Sequence, residues 1–228
     1  MRPHTVIGKG TLESEKSCQT GAVRAVPGWA VVSAILAPIF LLGGLVLSPA
    51  RQSASYSSTR DTISALAGLG ATDRWIMVVA FTGMGICFTL TGIGLRPAYP
   101  AGRFALIFGG IVSMTAVFFP QPIQGASLVH GLMAGAGFIA LAVWPAFAFR
   151  TEPTAPWSLR PTASILATTI MIGLMFWFAT ELFNRGDQIG ITERFLAAAE
   201  AIWPLVVVLN ARALKPALAQ QLVSDEPS

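Results

Sequence analysis

After a polar first 28 residues, the chain falls into six apolar stretches separated by short polar or Pro- and Gly-bearing segments. They cover Trp29–Leu47, Trp75–Leu95, Phe104–Phe119, Ser127–Phe149, Thr162–Phe183 and Thr192–Asn210. Each lies near the ~20 residues a helix needs to cross a ~30 Å hydrocarbon core. None shows the period-two polarity of a barrel strand. Irregular backbone facing lipid leaves its polar groups unsatisfied, so helices are the expected spans. The pattern therefore predicts an all-α membrane protein built as a six-helix transmembrane bundle. The third stretch is the shortest and is expected to recruit flanking residues, with Arg103 snorkelling outward. In domain terms, residues 1–28 read as a flexible cytoplasmic tail, 29–212 as the transmembrane domain and 213–228 as a second cytoplasmic tail.

Composition sharpens this picture. Hydrophobic residues make up 54% of the 228 and charged residues only 11%, less than half the ~25% typical of soluble domains. A surface so poor in charge needs lipid around it. The net charge of +4 resides in tails and loops, which argues for orientation in a membrane and against nucleic-acid binding. Ten Lys and Arg fall on the side of the two termini and five on the other. The positive-inside bias thus places both termini in the cytoplasm. Residues 1–28 lack the basic-then-apolar pattern of a cleaved signal peptide. Cys18 and Cys87 lie in a polar tail and an apolar span. They suggest neither a disulfide nor a metal or redox motif, and no cofactor motif is present.

Trp29, Trp75, Trp157 and Tyr99 lie at span ends, where amphipathic rings favour the headgroup zone. Trp144, Trp177 and Trp203 lie deeper and read as packing residues. Gly131, Gly135 and Gly137 give the fourth span a small face that suits close helix approach, within the chain or in a homodimer. No internal repeat is evident, so an inverted-repeat transporter gains no support.

The chemistry-bearing residues gather on the outer side of this topology. Asp61, followed by Thr-Ile-Ser64-Ala-Leu, reads as an N-cap for a short helix lying on the bundle. Asp73 reads as the cap of the second span. His130 sits about one turn into the fourth span, where it serves either as a hydrogen-bonded structural group or as a functional one. Glu200, eight residues into the last span, is the strongest signal. An isolated carboxylate there must be neutral, paired or facing a wet cavity. Glu193, two turns earlier, lies on the same helix face, and Pro204 frees a backbone carbonyl near Glu200. Glu181 and Arg185 end the fifth span, and Arg194 is the evident charge partner for the acidic residues.

Several of these residues sit in a pattern. Arg60-Asp61-Thr-Ile-Ser64-Ala-Leu-Ala leads into Asp73-Arg-Trp75. Phe118-Phe119-Pro120 ends the third span, His130 opens the fourth, and Gly190-Ile-Thr192-Glu193-Arg194-Phe195 opens the sixth. Over roughly residues 30–212 the chain resembles the domain-of-unknown-function 998 family of bacterial and archaeal membrane proteins. That resemblance implies six helices in a prokaryotic inner membrane and marks the outer-face residues, but it carries no reaction. Gln121-Pro122 stands here where such proteins often have an acidic residue, which weakens metal or acid–base schemes needing that carboxylate.

Three functions fit these residues. The first is a lipid-headgroup-binding or accessory protein of the outer leaflet, its partners being membrane lipids, another membrane protein or a second copy. In it Glu181, Arg185, Glu193 and Arg194 are the ligand-binding candidates, the arginines holding a phosphate. The second is an intramembrane hydrolase or transferase for a lipid or lipid-linked substrate. His130 would be its base or a metal ligand, Asp61 or Glu200 its acid or orienting group, and Ser64 its nucleophile. The third is a small proton-coupled transporter with Glu200 as carrier.

The orientation is directly testable. In a background lacking both cysteines, Gln124→Cys is expected to react with membrane-impermeant maleimide on intact cells. Thr151→Cys is expected to react only after permeabilisation; the reverse pattern contradicts the charge-based topology.

Overall fold

A computed structural model describes residues 25–224, with side chains to residue 213. Most of the polar N-terminal segment, with His4 and Cys18, lies outside the described residues. Six long helices follow the apolar stretches: α1 (Gly28–Leu47), α2 (Trp75–Gly94), α3 (Pro100–Ala116), α4 (Leu128–Ala148), α5 (Pro161–Asn184) and α6 (Ile189–Ser224). A one-turn helix, Ile63–Leu66, lies between α1 and α2. Among the described residues there is no strand. Five of the long helices have the length and apolarity to cross a membrane, and α3, at 17 residues, is a shorter apolar helix. Their outward faces carry large exposed apolar side chains along their length, from Val32, Ile39 and Val46 on α1 to Phe176 and Phe183 on α5. Water would oppose such a surface and lipid accommodates it. The chain is a multi-pass membrane protein.

Each helix packs against the next in sequence, and α6 returns to α1, so the six close into a ring. The end carrying residues 48–74, 117–127 and 185–188 is called the top below. Packing depends on backbones coming close. A Cβ on Gly85 of α2 would stand 2.5 Å from the carbonyl of Gly110 on α3, and one on Gly110 would stand 2.6 Å from the carbonyl of Gly85. Gly102 meets the backbone of Ala148 in the same way, joining α3 to α4. Small residues therefore do sit at the interfaces, as membrane bundles require, but not where the fourth span advertised them. Gly131 and Gly135 have nothing within 4 Å of where a Cβ would lie. Only Gly137 approaches α3, with Val112 at 3.4 Å.

Polar contacts add local ties. Ser33 of α1 shares a buried 2.9 Å hydrogen bond with Thr91 of α2. Asn210 accepts from the Ser158 hydroxyl at 2.9 Å, fixing the α4–α5 connection to α6. Arg103, half-exposed at the start of α3, donates to the carbonyls of Gly92 at 2.9 Å and Ile93 at 2.6 Å, which the end of α2 leaves without helical partners. The last helix runs beyond the apolar stretch to Ser224, through a segment rich in Ala, Leu and Gln, good helix formers, that also contains Pro216.

These contacts separate two groups of glycines. Gly85→Ala and Gly110→Ala are each expected to lower bundle stability by about 1–3 kcal/mol through overpacking. Gly131→Ala and Gly135→Ala are expected to be neutral or slightly stabilising, since alanine is the better helix former by roughly 1 kcal/mol. Thermal unfolding in nanodiscs compares them; equal losses at all four positions would contradict this packing.

Candidate functional site

The top of the ring is roofed by the segment from Tyr56 to Ala67, and the start of α6 holds that roof in place. Glu193, 2% exposed, accepts a hydrogen bond from the Ile63 backbone N–H and another from the Ser64 hydroxyl at 3.2 Å. Its neighbour Arg194 donates to the carbonyls of Asp61 at 3.0 Å and Gly190 at 2.7 Å, and to the Tyr56 phenol oxygen. One residue satisfies donors of the roof and the next satisfies an acceptor. Ile191 N–H adds a bond to the Thr59 carbonyl at 3.0 Å. Gly190 is required here by sterics, since a Cβ would strike the carbonyls of Asp61 and Ser58. Burial pushes the Tyr56 phenol above its ordinary range, against the opposing pull of the Arg194 guanidinium. The phenol therefore stays protonated at neutral pH.

Two expected caps take other roles. The cap of the one-turn helix is Thr62, whose hydroxyl accepts from Ala65 N–H at 3.1 Å. Asp61 instead accepts from the Ser57 N–H at 2.7 Å and closes the preceding turn. A side chain one residue further on reaches the free N–H groups better, and Asp61 is spent on its own turn. Asp73 does not cap α2 either. It adopts a left-handed backbone, φ 49°, and its carboxylate pairs with Arg51 at 2.9 Å.

Beneath the roof lies a cavity of about 70 Å³. Ile63, Ser64 and Ala67 form its top. Its walls come from α2 (Phe81, Met84, Phe88), the end of α3, α4 (His130 to Leu141) and α6 (Glu193, Ala197, Glu200). No residue of α1 or α5 lines it. Ala116, Val117, Met133 and Ala134 line it while remaining half-exposed, so it reaches the surface beside the top ends of α3 and α4. Phe118, Leu128 and Leu132, each within two residues of a lining residue, are strongly exposed.

Two of the lining residues carry a polar atom that is buried without a hydrogen-bond partner, Nε2 of His130 and Oε1 of Glu200. The His130 backbone is capped by the Ser127 hydroxyl, and its ring is oriented by a 2.8 Å bond between Nδ1 and the Phe119 carbonyl. Glu200 is eleven residues past Ile189, about 16 Å along α6 at 1.5 Å per residue. That is deeper than the sequence boundary implied, because α6 begins three residues earlier than Thr192.

The fold thus brings Ser64, His130, Glu193 and Glu200 to one cavity and leaves the other candidates elsewhere. Asp61 is part of the roof. Glu181 accepts from Gln188 N–H at 3.1 Å and closes the α5–α6 turn. Arg185 is the exposed left-handed residue that ends α5, φ 52°. Arg194 faces the roof backbone and makes no salt bridge with either buried glutamate. Among the described residues no hydrogen bond joins His130 to Ser64, Asp61 or Glu200. No group of three His, Cys, Asp or Glu among them is close enough to share a metal ion. The role of Phe119, a carbonyl that orients His130, is invisible to side-chain reasoning, although Phe118-Phe119-Pro120 marks its place.

The family model described as "Protein of unknown function (DUF998)" matches residues 34–210. Neither a curated protein nor a solved structure matches the chain.

If Glu193 and Arg194 hold the roof, their loss should loosen it selectively. Glu193→Ala strands the buried N–H of Ile63, at a cost of about 1–3 kcal/mol. Hydrogen exchange is expected to rise across residues 56–67 in Glu193→Ala and Arg194→Ala, with α2 and α3 unchanged. Uniform exchange along the chain would contradict the clamp.

Proposed function

The chain belongs to this DUF998 family, and from that premise we propose that it binds a membrane amphiphile, the polar head inside the cavity beneath residues 56–67. One observation carries the reading: an apolar cavity near exposed apolar side chains, with two lining residues that each bear a buried polar atom lacking a partner. Leaving a buried polar group unsatisfied costs about 1–3 kcal/mol, and a ligand that satisfies both recovers that cost. Apolar walls with a few convergent polar groups are the usual form of a small-molecule site. In this reading the top of the bundle faces the outer leaflet of a prokaryotic cytoplasmic membrane, as the Lys and Arg asymmetry favours.

The enzyme and transporter readings have less support. The Ser64 hydroxyl donates a hydrogen bond to Glu193, and Glu193 also holds backbone, so the pair serves the roof. His130 is oriented by a carbonyl rather than by a carboxylate. Among the described residues Oε1 of Glu200 has no hydrogen-bond partner, so no hydrogen-bonded relay starts from it. An accessory role beside another membrane protein or a second copy draws on Gly131 and Gly135, whose faces are open to a partner helix.

Native mass spectrometry of the protein released from membranes in mild detergent tests the proposal. Wild type is expected to retain a bound amphiphile, and Ala134→Phe, which narrows the mouth, to retain little while still purifying as a folded, monodisperse protein. Absence of bound amphiphile on wild type, or equal retention by both, contradicts it.

A further inference from the structure

The class of head group follows from the hydrogen-bonding pattern of the cavity, on the premise that the cavity is an amphiphile site. The Phe119 carbonyl can only accept, so its 2.8 Å contact fixes a proton on Nδ1 of His130. In the neutral ring Nε2 is then a bare acceptor, and it is buried with nothing to accept from. Oε1 of Glu200 is likewise buried without a partner; as a carboxylate it only accepts, and a basic amine that meets the neutral acid takes up its proton and forms that same carboxylate–ammonium pair. The two side chains are 6% and 2% exposed, and neither serves the other as partner.

The rest of the polar lining offers no spare proton. The Ser64 hydroxyl donates to Glu193. The Ser113 hydroxyl donates to the Gly109 carbonyl at 2.8 Å. Glu193 accepts from Ile63 and Ser64. Trp144 and Trp203 have unpartnered indole N–H groups, but neither lines the cavity. No Lys or Arg lines it either, because Arg194 is turned into the roof. The cavity is a set of lone pairs and carboxylates awaiting donors.

An anionic head would meet only acceptors there, with no cation to hold it. A hydroxyl brings one proton for two acceptors. A protonated amine brings three N–H donors and the charge that compensates a buried carboxylate. The mouth beside Ala116, Val117, Met133 and Ala134 opens among exposed apolar side chains, which admits the attached chain sideways from the bilayer. We infer that the cavity binds the ammonium head of an amine-bearing amphiphile, with Glu200 and His130 as its two acceptors. The amine has two possible sources, an amine-bearing membrane lipid or a free long-chain amine.

The test uses the purified full chain in phosphatidylcholine nanodiscs at pH 7. Dodecylamine, dodecanol and dodecanoate are titrated separately, with binding read by native mass spectrometry and melting temperature. Dodecylamine is expected to bind saturably and about tenfold or more tighter than dodecanol, as one charge-assisted hydrogen bond allows. Dodecanoate is expected to bind weakest. Glu200→Gln keeps the shape of the side chain and removes its charge, and should bring amine and alcohol within about twofold of each other. If that variant does not fold, the order of the three heads on wild type decides alone. Competition by phosphatidylethanolamine added to the nanodisc identifies a lipid source, and lack of competition a free amine; both support the inference. Equal affinity for the three heads, or an amine preference that survives Glu200→Gln, overturns it while leaving amphiphile binding intact. If none of the three binds, the amphiphile reading fails with it.

Discussion

The paired contacts of Glu193 and Arg194 with the segment between α1 and α2 are what the upper half of the molecule depends on. That segment holds only one turn of helix, so its backbone groups lack regular partners. Near or within a bilayer such groups must be satisfied by protein. Glu193 supplies an acceptor to Ile63 N–H, and Arg194 supplies donors to the Asp61 carbonyl. Adjacent residues on a helix point in different directions, which lets one reach inward beneath the roof while the other reaches along it. Gly190 lets the roof come down onto α6 without a clash. The roof in turn makes the cavity: without Ile63, Ser64 and Ala67 held in place, Glu200 and His130 would sit in an open funnel.

The same clamp explains how much of the site sequence reasoning could read. The helices were legible, because apolar runs of membrane-spanning length have few other solutions, and the observed ends lie within a few residues of the expected ones for α1, α2, α4 and α5. So was the shared helix face of Glu193 and Glu200, since seven residues are two helical turns; that both line one cavity is visible only in the structure. Capping was misread at Asp61 and Asp73 because a loop can place several side chains near one helix start. Thr62 rather than Asp61 takes the N–H of Ala65, a one-residue difference that depends on backbone direction. Arg194 looked like the partner of acidic side chains. Its actual partners are mainly backbone carbonyls, and these leave no trace in the identity of neighbouring residues. Gly131 and Gly135 form a small-residue pattern on a face that no helix of this chain covers, whereas Gly85 and Gly110, with no such spacing between them, make the close approach. Periodicity reports which residues share a face, not what that face meets.

Turning Arg194 into the roof also sets the electrostatic character of the site. A guanidinium lining the cavity would have made it a receptor for phosphate or carboxylate. Its absence leaves an imidazole acceptor and a carboxylate among Phe, Met and Ala side chains. On the proposed reading, structural and ligand-binding roles are divided along one helix: Arg194 and Glu193 hold the roof, and Glu200, two turns deeper, lines the space that the roof encloses. Phe118, Leu128 and Leu132 at the same end of the bundle are exposed and apolar.

The central claim is that an amphiphile in the bilayer enters this cavity. Photo-crosslinking in native membranes with a diazirine placed midway along a long-chain amine, followed by peptide mapping, tests it most directly. The account predicts labelling concentrated on residues 112–120, 130–141 and 193–200, suppressed by excess unlabelled amine. Labelling spread over the outward faces of α1 and α5, with no competition, would contradict it.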